Sequence, residues 1–262
     1  MKNLFKKITL FFIFLFFTNI GFSHELWLEP KKFNLLPNQK LEAHIKVGQN
    51  LNGDSFPYIS AETSKLNLFL NKTKIQLKHR DGDYPAIQVN LNKRGTYILT
   101  YESTPEILKY ENFEKFTLFL QEQGLWDKRI FVPTNDIIES YTRFAKSIIQ
   151  VGDSYGADFK SDLLFELVAQ DPIKNFKTRS NILVKLFYDN QPYQNSQISI
   201  FRLHQNKLDI YKVVTNNRGE AKIPTKEGGI FLLSSVYLSN IAQSKTESQW
   251  KSLWASLTFE IK

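Results

Sequence analysis

Short segments of alternating apolar and polar residues, separated by turn sequences, constrain the fold of this chain more than any other feature. In the clearest of them, Leu41 to Val47, the apolar residues alternate with Glu42, His44 and Lys46. A period of two is typical of a strand that buries one face. Similar segments recur at short intervals and are bounded by Asn, Gly or Asp. We therefore predict an all-β fold with two immunoglobulin-like β-sandwich domains in tandem.

The first predicted domain covers residues 24–151 and carries a short helical insertion near 110–124. Within the insertion the spacing changes from two to the helical period, with Phe113, Phe116 and Leu120 on one face and a glycine at the end. The strand periodicity then resumes and completes the first sandwich.

The second predicted domain covers residues 162–262 and follows a polar, glycine-bearing segment, 152–161, that we interpret as a linker. About seven strand-like segments follow one another in this half, consistent with one sandwich. The turn sequence from Asn216 to Gly219 separates two of them, since Asn and Gly tolerate a positive φ.

Residues 1–23 have the composition of a secretory signal peptide: a lysine-rich start, an apolar segment from Ile8 to Phe17, and small residues before the cleavage point. As a helix, the apolar segment would span only about 15 Å, which is too short for a hydrocarbon core of about 30 Å. We predict cleavage between Ser23 and His24, no membrane span in the mature chain, and a periplasmic location.

Cysteine is absent and the formal net charge is +8, of which the lysines of the signal contribute three. A fold without thiols uses no disulfide, and any metal ion must be held by imidazole, carboxylate, amide or amine groups. The remaining positive charge is spread as single Lys and Arg residues. This pattern does not favour nucleic acid binding, which needs a concentrated basic face.

Three segments together carry a resemblance to a known family: HELWLEP at 24–30, ESYTRFAKSIIQVGD at 139–153 and WKSLWASLTFE at 250–260. They resemble uncharacterised secreted bacterial proteins commonly described as the periplasmic component of cobalt/nickel uptake systems. The resemblance spans the mature chain in the same order.

The resemblance implies two immunoglobulin-like sandwiches, the second similar to carboxypeptidase-regulatory-like modules through the run from Asn216 to Ile223. It places the implied metal role on His24, the first residue of the matching motif. It also implies a histidine near position 237, where this sequence has Tyr237. A metal site that needs this second imidazole would be incomplete here.

A mature N-terminal His24 would offer two nitrogen ligands, the α-amine and the ring Nδ1, which together close a chelate ring. The ordinary pKa of the amine is about 7.7–8.0 and that of imidazole about 6.5, so both can be neutral near physiological pH. Nitrogen ligands without thiolate favour Ni(II), Co(II), Cu(II) or Zn(II). The alternative is that HELWLEP only forms the first strand, and both can hold together.

His44, on the polar face of an early strand, is our predicted second metal ligand. His79 lies between cations near a turn, and His204 ends a strand in the second half, so both are expected to be surface histidines. A copper oxidase would need a second imidazole beside the amine, which Tyr237 argues against.

Arg143 and Lys146 could bind an anion, but strand alternation sends them to opposite faces, so we expect Arg143 in a cross-strand ion pair instead. Trp250 and Trp254 are expected in the core or between domains. The sequence contains no nucleophile elbow, phosphate loop or supported carboxylate dyad, and we predict a protein that is not an enzyme.

Two functional hypotheses follow. The first is an exported metal-binding accessory protein that assists nickel or cobalt uptake, or copper uptake, through a free N-terminal histidine, with a metal-transport permease or an envelope protein as partner. The alternative is an adaptor of two sandwiches that binds an envelope protein or glycan and no metal. Fold alone does not separate them.

The first prediction concerns export. N-terminal sequencing of the exported protein should read His-Glu-Leu-Trp, because the small residues before His24 fit the signal peptidase site. Any other start would remove the free amine from His24 and with it the chelate.

Overall fold

The computed structural model of the chain describes residues 24–126, 137–176, 178–241 and 248–262. The predicted signal peptide and its cleavage point after Ser23 lie outside or at the border of these residues. In the described part, no helix is both long and apolar enough to cross a membrane.

Strands dominate both halves of the chain, which confirms the all-β prediction. The strands before residue 152 are β1 (Glu25–Pro30), β2 (Asn34–Leu35), β3 (Gln39–Gln49), β4 (Asn52–Phe56), β5 (Thr63–Leu70), β6 (Thr73–Ile75), β7 (Ile87–Leu91), β8 (Gly95–Ser103), β9 (Glu106–Lys109) and β10 (Ile138–Val151). Those after it are β11 (Phe165–Ala169), β12 (Asn181–Tyr188), β13 (Gln191–Pro192), β14 (Gln197–His204), β15 (Lys207–Val214), β16 (Glu220–Pro224), β17 (Gly229–Asn240) and β18 (Trp250–Ile261). Two short 3₁₀ turns lie at Ser60–Glu62 and Ile173–Asn175.

The two halves share one long mixed sheet. Its strand order is β15-β14-β17-β18-β10-β8-β5-β6, with β2 and β9 also paired to β10. The join is the parallel pairing of β10 with β18, which runs from Glu139 opposite Trp250 to Ser147 opposite Thr258. A strand of the first half therefore lies directly beside the last strand of the second half.

Two smaller sheets cover opposite faces of the shared sheet. The first contains β1, β3, β4 and β7, and the second contains β11, β12, β13 and β16. Because side chains alternate along a strand, β10 contributes to both interfaces. Ala145 and Ile149 pack against the first small sheet, whereas Phe144 and Ile148 pack against the second.

Residues 152–161, predicted as a linker, are bonded closely to the rest of the molecule. The Gly156 amide donates to Thr96 Oγ1 at 2.9 Å, and the carboxylate of Asp158 is buried. This segment leads from β10 across to β11 and so joins the shared sheet to the second small sheet. The polar residues of this segment form internal hydrogen bonds. From the sequence alone, such a segment cannot be distinguished from a linker.

The predicted helical insertion forms α1 (Phe113–Glu122). The Asn112 side chain caps its first turn by accepting a hydrogen bond from the Lys115 amide at 2.9 Å. Phe116 and Leu120 lie on the buried face, as expected. Phe113, which we placed on the same face, is 45% exposed and does not join the buried face.

The helix covers the part of the shared sheet that the first small sheet leaves open. Its apolar face packs on Trp250 and Trp254 of β18, with Phe119 stacked 5.7 Å from Trp254. Both tryptophans are buried, which confirms their expected core position.

Replacing Phe116 with alanine should lower the free energy of unfolding by about 3–5 kcal/mol, since the side chain is fully buried and would leave a cavity. The exposed Phe113 on the same helix offers the matched control, and its alanine variant should change stability by less than about 0.5 kcal/mol. Urea unfolding of both variants measures the difference. Equal losses would mean that α1 does not pack on the sheet through this face.

Candidate functional site

The candidate site lies at the amino end of β1, on the face of the shared sheet that the first small sheet and α1 both cover. Strand β1 pairs antiparallel with β3, with Glu25 opposite Gly48. It is also bonded to the shared sheet, because Thr258 Oγ1 of β18 donates to the Leu28 carbonyl at 2.7 Å. Trp27 and Leu28 are completely buried, so the strand is a firm support for the residue that precedes it.

His24 presents a partly buried imidazole at this end of β1. Its Nδ1 atom is buried and has no hydrogen-bond partner among the described residues. Burial, and then the positive charge of Arg143, lower the pKa of the His24 ring. The imidazole is therefore neutral near pH 7, the state in which a ring nitrogen can bind a metal ion.

Glu25 follows with an unusual carboxyl group. Burial raises its pKa to about 7, with a further increase from Glu122 at the end of α1. A hydrogen bond to the Glu25 backbone and the charge of Arg143 act in the opposite direction. Near neutral pH this group is close to half ionised and can accept or release a proton.

Arg143 of β10 lies on the same face and forms the cross-strand ion pair that alternation predicted. Its Nη1 is 3.1 Å from Glu106 Oε1 on β9, and its guanidinium lies over the Tyr141 ring at 4.6 Å. The Tyr141 hydroxyl donates to Glu106 Oε2 at 2.7 Å. Arg143 Nε is buried without a partner in the described part of the chain, so the guanidinium retains one donor.

A cleft of about 310 Å³ opens beside this ion pair. Its apolar wall includes Leu26, Ile45 and Phe56, and Arg143 with Glu106 forms a polar end. Concave sites with apolar walls and few polar groups are typical of small-ligand binding.

The structure does not bring His44 to His24. His44 pairs with Glu29, five residues along β1 from His24, so the rise of a strand separates them by about 16 Å. The His44 ring packs edge-on against Tyr84 at 5.2 Å, and burial followed by Lys31 lowers its pKa. His44 therefore cannot ligate the same ion as His24 in this arrangement.

The other candidates lie on other parts of the fold. The His79 ring lies tilted against the Tyr58 ring, with centroids 4.1 Å apart, and His204 ends β14. Tyr237 stacks on Tyr188 at 4.5 Å in the core of the second half, on the opposite face of the shared sheet. An imidazole at position 237 would therefore not face His24.

Within the described ranges, no three His, Asp or Glu side chains are grouped so that they could hold a metal ion. The donor set at β1 is thus a half-site: His24 Nδ1 and the amine that cleavage would free, with the Glu25 side chain projecting from the other face of the strand. The unpartnered Nδ1 fits a nitrogen-preferring divalent ion, and such an ion would need further ligands from solvent or a partner.

Sequence reasoning missed a buried polar network beneath α1. The Tyr110 hydroxyl donates to Glu139 Oε2 at 2.5 Å, Ser252 donates to the other oxygen, and Trp254 Nε1 donates to Ser252 Oγ at 2.9 Å. Burial raises the pKa of Glu139. The network is sealed from solvent and ties β10, β18 and the segment before α1 together, which is a structural role.

Fold and site together define an all-β protein in which two sandwiches share a sheet. The amino end of its first strand carries the His24 imidazole and the Glu25 carboxyl group. The chain belongs to the family described as Domain of unknown function (DUF4198), whose model matches residues 21–239. Membership of an uncharacterised family is thus confirmed. That description names no activity, so the expected role in cobalt/nickel uptake stays a prediction.

No curated protein matches this chain. Among solved structures, a tetra-tandem repeat in the extending region of a large adhesion protein has 7% identity and a TM-score of 0.22, and the match covers 92% of this chain and 50% of that one. A structure reported for host cell surface retention of a 1.5-MDa bacterial ice-binding adhesin has 10% identity and a TM-score of 0.21, with 90% and 63% covered. This chain spans less than two thirds of either, and scores this low support no argument.

The raised pKa of Glu25 predicts a specific dependence of stability on pH. Its folded pKa of about 7 exceeds the ordinary value of 4.5, so between these values the folded chain binds more protons than the unfolded chain. The contribution of Glu25 is therefore fully present below pH 4.5 and is lost as the pH rises through 7. A Glu25→Gln variant cannot ionise, and its stability relative to the parent should rise over this range by up to about 3 kcal/mol.

The measurement is urea unfolding at several pH values. The chains carry one residue before His24, so that the charged α-amine is not on the residue next to Glu25. Glu114→Gln, on the exposed side of α1, is the control and should give a difference that does not vary with pH. If the free energies of unfolding of the parent and of Glu25→Gln changed with pH in parallel, the raised pKa of Glu25 would be refuted.

Proposed function

We propose that the exported protein is a periplasmic metal-binding accessory protein that serves nickel, cobalt or copper uptake through a free N-terminal His24. The observation that carries the proposal is the buried, unpartnered Nδ1 of His24, whose lowered pKa keeps the ring neutral. Nδ1 is the ring nitrogen that can close a chelate with the α-amine of the same residue. Buried polar atoms are normally satisfied, so an unpartnered ring nitrogen calls for a partner.

His44 and His79 also have an unpartnered Nδ1, so this feature alone does not single out His24. The difference is what lies next to the ring. Only at His24 does the predicted cleavage add an amine to the same residue, and Glu25 follows it with a carboxyl group that titrates at about 7.

Arg143 opposes a bound cation, and its charge has to be considered. Its ion pair with Glu106 at 3.1 Å balances that charge locally. The ionised form of Glu25 would supply a further negative charge. A bound divalent ion would act as cargo, and the protein groups would hold it and pass it to a permease.

The test compares calorimetric titrations of Ni(II), Co(II), Cu(II) and Zn(II) into four proteins. These are the chain that begins at His24, the same chain with one added glycine in front, His24→Ala, and His204→Gln as the control. The glycine removes the amine from His24 and keeps every side chain, so we expect at least about tenfold weaker binding, or about 1.4 kcal/mol. His24→Ala should weaken binding further, and His204→Gln should bind as the parent does.

Equal binding by the parent and the glycine-extended chain would remove the amine from the site. Equal binding by His24→Ala as well would refute the proposal altogether.

A second candidate function, an adaptor for an envelope protein or glycan, is favoured by the terminal strand of the shared sheet. Ile210 and Val214 of β15 are 50% and 62% exposed. Terminal strands with exposed apolar residues are suited to pairing with another chain. An Ile210→Lys substitution that abolished capture of a partner while metal binding persisted would favour this function.

A further inference from the structure

Three charged side chains on the other face of β10 are sealed inside the molecule. The side chains of Lys146, Asp158 and Glu166 are 1%, 0% and 0% exposed. Lys146 lies between Phe144 and Ile148 along the strand and shares their face, which packs on the core of the second half. The proposed metal site on the opposite face makes no use of this cluster.

The contacts of the lysine place its amine directly against a carboxyl group. Lys146 Nζ is 3.0 Å from Asp158 Oδ1 and donates to the Phe159 carbonyl at 2.9 Å. It also contacts Glu166 Oε1. The carbon of the Asp158 carboxyl group is one bond beyond the contacting oxygen, about 3.8 Å from Nζ at an ordinary hydrogen-bond angle, so a small rotation of the Asp158 side chain would bring it to the near-attack distance of about 3–3.5 Å.

The charge of the cluster is unbalanced. One ammonium faces two carboxylates, and a net charge that is buried from solvent is costly. Burial raises the pKa of Asp158 even though Lys146 acts against it, which favours the acid form of this carboxyl group. Burial would also lower the pKa of Lys146, but the two carboxylates more than offset it, so the amine needs a base that takes its proton.

We propose that Lys146 and Asp158 condense to an intramolecular amide bond, with Glu166 transferring the proton. The Glu166 carboxylate first takes a proton from the Lys146 ammonium. The neutral Nζ then attacks the carboxyl carbon of Asp158, forming the N–C bond. The C–OH bond breaks, its oxygen leaves as water with the proton from Glu166, and the regenerated Glu166 carboxylate takes the extra proton that remains on Nζ. The Lys146 ammonium, the Asp158 carboxylic acid and the Glu166 carboxylate thus become an amide, water and protonated Glu166, and no oxidant or cofactor is needed.

The surroundings suit the addition step. The Asp158 oxygens already accept hydrogen bonds from the Phe159 and Ala169 amides, each at 2.8 Å. These donors would stabilise the negative oxygen of the tetrahedral intermediate, as an oxyanion hole does. Both oxygens of Glu166 accept from the Ser161 amide at 3.0 and 2.9 Å, which fixes the proton carrier. The closed site also excludes water that could reverse the reaction.

The bond would fasten β10, the strand that joins the two halves, to the segment that crosses to β11. A chain without cysteine cannot form a disulfide at this place. An amide cross-link needs no oxidising compartment and is not reduced by thiols.

Mass spectrometry of the full exported chain decides whether the bond exists. The folded protein should be lighter than its sequence by one water molecule. Trypsin should release residues 144–160 as a single peptide that is not cut after Lys146 and lacks one water, with no backbone fragments between Lys146 and Asp158. A cyclised aspartate would also lose water but would leave Lys146 open to trypsin, so cleavage there overturns the proposal. The full sequence mass, expected for a charge cluster without a covalent bond, overturns it as well.

Variants then test the residues. Lys146→Arg and Glu166→Gln should both keep the full sequence mass, whereas Glu102→Gln, which alters the surface partner of Lys65, should lose one water like the parent. A folded Glu166→Gln chain that is fully cross-linked would overturn the role of Glu166. If that variant does not fold, Glu166→Asp decides: slower water loss than in the parent supports the role, and an equal rate overturns it.

Discussion

The parallel pairing of β10 with β18 is the constraint on which the rest of the structure depends. It joins residues 139–147 to residues 250–258, so the hydrogen bonds of one ladder hold both halves. Because β10 exposes alternate side chains to opposite faces, Ala145 and Phe144 support different cores although they are neighbours in the chain. The two sandwiches are therefore not independent units on a tether. Unfolding of either half would expose one face of β10 and weaken the other half.

What could be predicted from the sequence were the features that depend on neighbours in the chain. Alternation predicts strands and sends Arg143 and Lys146 to opposite faces, and helical spacing with a terminal glycine predicts α1. The shared sheet could not be predicted, because no local pattern indicates which strand pairs with which or in what register. The segment 152–161 shows the same limit: glycine and polar residues are typical of linkers, yet the same residues serve a buried cluster through Asp158 and Gly156.

The same distinction applies to the candidate site: features within one residue could be predicted, and contacts between distant strands could not. The chelating potential of His24 is visible in the sequence because the amine and the imidazole belong to one residue. The groups around His24 could not be predicted from the sequence, since they come from β10, β9 and α1. The choice of His44 failed for a geometrical reason: antiparallel register pairs it with Glu29, at the far end of β1. The burial of Glu25 could not be predicted from the sequence, because a carboxylate in a strand is usually exposed and only the packing of β1 on the shared sheet shows that this one is buried.

The charges around His24 determine how a cation could be held there. The ring is neutral near pH 7, and Arg143 and Glu106 balance each other, so the state of Glu25 decides the net charge of the site. Without a charged amine beside it, Glu25 has a pKa of about 7 and carries its negative charge only part of the time at neutral pH, and the amine that cleavage would free acts to lower that pKa. A bound divalent ion would favour the ionised form and displace the proton. The amine of His24, with an ordinary pKa of about 7.7–8.0, would release its proton over an overlapping range. Metal affinity should therefore rise with pH more steeply than loss of the amine proton alone would produce, because two protons leave when one ion binds.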